Sequence, residues 1–237
     1  MGFDCAIRTH VGLKRKLNED MVLGLPERRL WAVADGMGGH QAGEVASTMV
    51  CGALEEMPEA ASAEAGLRHA VAVLQAVNQQ LIELAARSYQ DRTIGSTVVG
   101  MIADEREYKC FWAGDSRAYR VRRGSIEQLT RDHSLVQDLV DAGMLEPEEA
   151  EGHPNANVVT RAVGAVDVLR VDMVGGQLED GDIFLLASDG LTRLATDQEL
   201  CAVLGGSDLD GMADRLIGLA LERGAPDNVS LVIVRSC

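Results

Sequence analysis

The stretch Leu30-Trp31-Ala32-Val33-Ala34-Asp35-Gly36-Met37-Gly38-Gly39-His40 decides how the rest of the chain is read. Leu30 to Ala34 is an apolar run of strand length with no polar alternation, so it predicts a buried strand that stops at Asp35. The glycines at 36, 38 and 39 then allow a sharp turn and close backbone approach. A short carboxylate at the end of a rigid element, with glycines beside it and a histidine just beyond, suits a functional site. It equally suits a glycine-rich turn with a solvated aspartate. The remaining acidic junctions decide between the two.

Composition narrows the classes first. The 237 residues are 46% hydrophobic and 25% charged, which is ordinary for a globular domain with a sizeable core. Aromatics make up only 3%, so that core rests on Ala, Val, Leu and Met. The formal net charge of -15 argues against a nucleic-acid or anionic-membrane binder, because phosphate surfaces attract Lys and Arg. Cys5, Cys51, Cys110, Cys201 and Cys237 are scattered and form no CxxC, which points to reduced thiols in a cytoplasmic protein rather than to disulfides or a zinc site. The N-terminal residues hold no apolar signal core, and no apolar run approaches the ~18 residues that a membrane span needs.

Along the chain, strands are expected at 3–9, 20–25, 30–34, 96–103, 108–113, 117–122, 126–129, 168–174, 183–187 and 229–234. A helix is expected from Glu44 to Met57. A second, over 63–88, carries Leu67, Val71, Leu74, Asn78, Leu81 and Ala85 on one stripe, with Glu64, Arg68, Gln75 and Gln79 opposite. Gly124-Ser125 marks a hairpin turn, Thr196 with Glu199 a capping box, and Ser207 the start of a last helix that ends at Gly224. Residues 131–165 are polar, hold Pro147 and Pro154, and read as an inserted flap of short helical pieces. No repeat or linker divides the chain, so the pattern gives a single α+β layered domain over 1–237.

Five acidic junctions stand out: Asn18-Glu19-Asp20, Asp35-Gly36, Gly114-Asp115-Ser116, Ser188-Asp189-Gly190 and Pro226-Asp227-Asn228. Each alone is well explained as a turn aspartate. Together they suggest carboxylates converging on one cleft, where they repel unless cations sit between them. Oxygen-only ligands select hard ions such as Mg²⁺ or Mn²⁺. Other motifs fail: Gln41 stands where a dinucleotide fingerprint needs its third glycine, no GxxxxGK[ST] occurs, and Ala118 breaks a nucleophile elbow at Gly114-Asp115-Ser116.

The ordered set Arg15-x-x-Asn18-Glu19-Asp20, Asp35-Gly36-Met37-Gly38-Gly39-His40, Gly95-Ser96-Thr97, Gly114-Asp115-Ser116-Arg117-Ala118-Tyr119, Ser188-Asp189-Gly190-Leu191 and Asp227-Asn228-Val229-Ser230 resembles the metal-dependent protein serine/threonine phosphatases of type 2C, in their compact prokaryotic form. The likeness runs from about residue 8 to residue 234. It implies a four-layer α-β-β-α sandwich, with a central pair of mainly antiparallel sheets flanked by helices and the metal centre at one end. By position, Asp35 would bridge two Mn²⁺ or Mg²⁺ ions, Asp189 and Asp227 would complete one of them, and the Gly36 carbonyl would serve the other. Glu19 and Asp20 would contact metal-bound waters or a metal, and Asp115 would join Asp189 at a third, weaker site.

The implied reaction is hydrolysis of phosphoserine and phosphothreonine by a metal-bridged hydroxide, without a phospho-enzyme intermediate, reversing a bacterial serine/threonine kinase. Arg15 would clamp the phosphate, because a planar guanidinium matches two phosphate oxygens. His40 is the candidate general acid toward the leaving oxygen. Animal members carry a histidine directly after Asp-Gly, where this chain has Met37, so a structural histidine at a helix start is the alternative. The partners implied are phosphoproteins and a cognate kinase, with no nucleic acid and no membrane, for a chain acting as a monomer. Two rivals stand beside this reading. One is a non-enzymatic binding member of the fold, which would be expected to lose metal-site aspartates. The other is a phosphohydrolase acting on a small metabolite, which a substrate panel separates.

Overall fold

A computed structural model describes residues 2–38, 42–88, 93–150 and 152–237. In chain order the elements are β1 (Phe3–His10), β2 (Asp20–Leu25), β3 (Leu30–Met37), α1 (Ala42–Glu56), α2 (Ala63–Ser88), β4 (Gly95–Ser96), β5 (Val98–Ala103), β6 (Glu107–Ala113), β7 (Arg117–Arg122) and β8 (Ser125–Gln128). They continue with α3 (Leu135–Asp141), β9 (Asp172–Gln177), β10 (Ile183–Ala187), α4 (Asp189–Thr192), α5 (Asp197–Leu204), α6 (Leu209–Glu222) and β11 (Val229–Ser236). One sheet has the order β1-β11-β10-β7-β8; the other has β2-β3-β5-β6-β9, with β4 paired to β3. The pairings within both are antiparallel.

Strand alternation builds the layers. On β3, Leu30, Ala32 and Ala34 enter the core beneath α1 and α2, whereas Trp31 and Val33 enter the core between the sheets. On β10, Phe184 and Leu186 face the same inter-sheet core, while Ile183, Leu185 and Ala187 pack against α5 and α6. Val232 and Val234 repeat this split against Leu231 and Ile233 on β11. Both faces of these central strands are therefore buried, which is why they read as unbroken apolar runs. The outcome is the four-layer α-β-β-α sandwich that the resemblance implied.

The α2 stripe lies as expected: Leu67, Leu74, Leu81 and Ala85 are buried, and Glu64, Arg68, Gln75 and Gln79 are exposed. Asn78, polar in that stripe, is 1% exposed; its amide donates to Val166 O at 2.8 Å, and its Oδ1 accepts from Gly164 N at 2.7 Å. It fastens the end of segment 131–165 to the sandwich. That segment contains α3, a 3-10 turn at Pro147–Glu149, and the single bridges Ser134↔Val159 and Ser96↔Val163. Thr196 and Glu199 make both bonds of the capping box.

Three expectations shift. The strand placed at 168–174 lies at Asp172–Gln177, paired to β6. Residues 167–169 instead run beside α2, whose Gln79 and Gln75 donate to Asp167 O and Leu169 O. The last helix is capped by Asp208, whose side chain accepts from Gly211 N, and not by Ser207. β3 does not stop at Asp35: it runs on to Met37, because Gly36 and Met37 pair with Ser96 and Gly95. No described helix is long and apolar enough to cross a membrane.

Candidate active site

Asp35 therefore sits inside a strand, directly opposite Asp20 in the β2–β3 register. Its amide donates to Thr97 Oγ1 at 3.1 Å, and its carbonyl accepts from Thr97 N at 2.8 Å and Ser96 Oγ at 3.0 Å. Main-chain bonds on both sides fix where its carboxyl points. Gly36 is obligatory for close packing, since a Cβ there would lie 2.1 Å from Gly43 O and 2.6 Å from Glu19 O. Its amide donates to Glu19 O at 3.1 Å, tying the acidic segment before β2 to β3.

The other carboxylates reach the same end of the sandwich from separate loops. Asp189 follows β10 and opens α4. Gly190 behind it packs so tightly that a Cβ would come within 1.8 Å of Asn228 O, and this brings Asp189 up to the Asp227 loop. Asn228 organises that loop: its Nδ2 donates to Val11 O at 2.9 Å and Leu17 O at 3.0 Å, and its Oδ1 accepts from Glu19 N at 2.8 Å. Asp115 follows Gly114, whose φ of +126° and contact with Thr97 (2.5 Å to an added Cβ) require glycine. His133 supports the same turn, since its Nδ1 accepts from Gly114 N at 3.0 Å.

Arg15, Glu19, Asp35, Gly36, Asp115, Asp189 and Asp227 all line one cleft of about 540 Å³. Asp20 lies behind it, 7% exposed, and accepts from Ser188 Oγ at 2.9 Å. His40 lies outside the described residues. Burial pushes the Asp20 carboxyl up to about 7, with Asp189 and Asp227 adding to the rise against hydrogen bonds from Ser230 and Ser188. Asp115 is likewise pushed to about 7, by burial and by Asp189, against Arg193. Asp35 is raised well above the usual carboxylate range by burial and then by Asp20, Asp189, Asp115 and Asp227. Asp189 is raised by burial, with Arg193 opposing. Such stacking of like charges in one place is costly to folding and marks a site built for cations.

The donor chemistry fits such a cation. Glu19 Oε1, Asp20 Oδ1 and Asp189 Oδ1 are buried carboxylate oxygens with no hydrogen-bond partner, and oxygen donors of this kind are what a hard divalent ion takes. Among the described residues no three His, Cys, Asp or Glu side chains close around a single point as they stand. Two arginines provide part of the compensation instead. Arg15 Nη2 lies 2.7 Å from Asp227 Oδ2. Arg193 bridges Asp115 Oδ2 at 3.1 Å and Asp189 Oδ2 at 3.0 Å, and donates to Ala156 O at 2.9 Å. Arg193 was not singled out in the sequence. Its position four residues after Asp189 on a helix start was the available signal.

The ordered carboxylates, their sandwich and the arginine at the cleft correspond to a known family, protein phosphatase 2C, which matches residues 6–229. The chain belongs to that family. A serine/threonine protein phosphatase named PstP, from Mycobacterium tuberculosis, is 36% identical over 228 residues, which cover 96% of this chain and 44% of the relative. The chain thus spans less than half the length of that curated relative. The structure of PppA, described as a key regulatory component of T6SS in Pseudomonas aeruginosa, is 42% identical with a TM-score of 0.93, covering 100% of this chain and 99% of the other. The catalytic domain of PstP in complex with two manganese ions is 35% identical with a TM-score of 0.86, covering 99% and 98%. Protein phosphatase 2C enzymes are metal-dependent, in keeping with the unpartnered oxygens of the cleft.

Proposed function

We propose that the chain is a metal-dependent protein serine/threonine phosphatase that hydrolyses phosphoserine and phosphothreonine in proteins and so reverses a serine/threonine kinase. The observation that carries this reading is the cleft itself: Glu19, Asp35, Asp115, Asp189 and Asp227 line one depression together with Arg15. Asp35, Gly36, Glu19, Asp20, Asp189 and Asp227 are the groups that would hold Mn²⁺ or Mg²⁺. When bound, the ions supply Lewis acidity toward the phosphoryl oxygens and a nucleophile at neutral pH.

The chain's own residues supply the rest. The Arg15 guanidinium presents paired donors to phosphate oxygens and offsets their charge. Half its side chain is exposed, so it can exchange its Asp227 partner for a substrate. Thr97 is the sole hydroxyl side chain among the described cleft residues; it is 2% exposed and its Oγ1 is engaged by Asp35 N and Ser116 Oγ. Attack by water is what the resemblance implies: the new P–O bond is to water oxygen and the bond to the serine or threonine oxygen breaks. His40 is the proposed proton donor to that oxygen. Five unpaired cysteines support a reducing, cytoplasmic setting.

The test is a panel of phosphoserine and phosphothreonine peptides beside small phosphorylated metabolites, assayed with Mn²⁺, Mg²⁺ or a chelator. Metal-dependent release of phosphate from peptides, well above that from metabolites, is expected. Preference for a metabolite, or activity in the chelator, would overturn the reading.

A further inference from the structure

Asp115 and Asp189 are the pair that the family resemblance would give to a third ion, and here a guanidinium already lies between them. Arg193 Nη2 donates to Asp115 Oδ2 at 3.1 Å, and its Nε forms an ion pair with Asp189 Oδ2 at 3.0 Å. Asp115 is 4% exposed and its carboxyl is enclosed; Arg193 is the cation that faces it, with Asp132 and Asp189 adding negative charge nearby. The same guanidinium donates to the Ala156 carbonyl at 2.9 Å, on the segment whose Asn157 and Val159 form one wall of the cleft. Arg193 leaves α4 one turn after Asp189, so the helix sets its reach to Asp189, and the fold brings Asp115 to the same guanidinium.

We propose that Arg193 is a resident cation that takes the place of a divalent ion between Asp115 and Asp189 and straps segment 131–165 over the cleft through Ala156. Metal ions are then confined to the Asp35 and Asp227 end, and the third, weaker site implied by the resemblance is not formed in this chain. A fixed organic cation also makes the strap independent of metal concentration, whereas an ion in the same place would release it on chelation. The proposal rests on the phosphatase reading for the ions at the other end. It is nevertheless tested by a difference between variants, so the two can fail separately.

The experiment counts Mn²⁺ per chain by native mass spectrometry or equilibrium dialysis at a fixed free Mn²⁺ concentration. Arg193→Ala is expected to bind one more Mn²⁺ than the wild type, and Arg193→Ala with Asp115→Asn to fall back to the wild-type count. Arg193→Lys keeps the positive charge and is expected to hold the wild-type count, which separates a charge effect from simple loss of packing. Asp115→Asn alone is expected to leave the count unchanged. Equal counts for wild type and Arg193→Ala would overturn the proposal, as would loss of an ion from Asp115→Asn alone. In chelator, the amide of Val158, bonded to Asn155 O at 3.0 Å, should exchange about tenfold faster in Arg193→Ala, on the scale of one lost charged hydrogen bond. Unchanged exchange there would remove the strap. A wild type that binds no Mn²⁺ would refute the phosphatase reading instead, and the comparison with Arg193→Ala would still decide the role of Arg193.

Discussion

Replacing Asp20 by asparagine should make the metal-free protein more stable, although it removes a residue of the candidate metal centre. Asp20 is 7% exposed, stands opposite Asp35 across the strand pair, and has one oxygen without a partner. Burial, with Asp189 and Asp227, lifts its carboxyl from 3.8 to about 7. At roughly 1.36 kcal/mol for each unit, holding it ionised in the folded state costs at most ~4 kcal/mol above neutrality. A carboxyl raised on folding binds more protons folded than unfolded. Its favourable contribution is therefore complete below about pH 4 and is lost as pH climbs through about 7. Asp20→Asn escapes that loss. In chelator at pH 8 we expect a gain of ~2–4 kcal/mol, seen by calorimetry as a midpoint about 4–16 °C higher for a chain of this size. At pH 4.5 the difference should shrink toward zero. With Mn²⁺ the gap should narrow by ~2.7 kcal/mol, because saturation at roughly 100 times Kd adds that much to whichever protein keeps the site. An Asp20→Asn midpoint equal to or below wild type at pH 8 in chelator would refute the picture of carboxylates stacked for a cation.

Gly190→Ala would put a Cβ 1.8 Å from Asn228 O, so a loss of ~1–3 kcal/mol in thermal or denaturant unfolding is expected, together with a smaller midpoint rise on adding Mn²⁺. Arg15→Lys keeps the charge but loses the paired donors, and kcat/KM on a phosphopeptide should fall ~10–100-fold. Its metal-free stability should move by less than ~1 kcal/mol, because the Arg15–Asp227 pair is 51% and 36% exposed. His133 is lowered by burial, against Asp172, so the unfolded chain binds the extra proton. Stability should accordingly fall as pH drops below about 6.5, and His133→Gln should flatten that limb of the midpoint-versus-pH curve.

Much of the layering was legible because it is set by local periodicity. The apolar runs at 30–34 and 183–187 mark strands buried on both faces, and the α2 stripe marks a helix laid on a sheet. The Gly124 turn was legible for a similar reason: Arg123 at φ 53° and Gly124 at φ 77° are a left-handed pair at which glycine is favoured. What escaped is set by distant partners. β3 continues past Asp35 only because β4 lies beside it. The acidic junctions announced a cation site through residue type alone. Arg193 did not, because an arginine on a helix start is ordinary until the fold brings Asp115 to it across 78 residues.

The central claim is that this cluster is a catalytic metal centre with Asp35 at its heart. Its most direct measurement is phosphate release from a phosphothreonine peptide by wild type and Asp35→Asn, each with Mn²⁺ and with chelator, alongside thermal midpoints that verify folding. Hydrolysis by the wild type only with Mn²⁺, and none by a folded Asp35→Asn, is the expected result. Hydrolysis in chelator, or undiminished hydrolysis by Asp35→Asn, would contradict it.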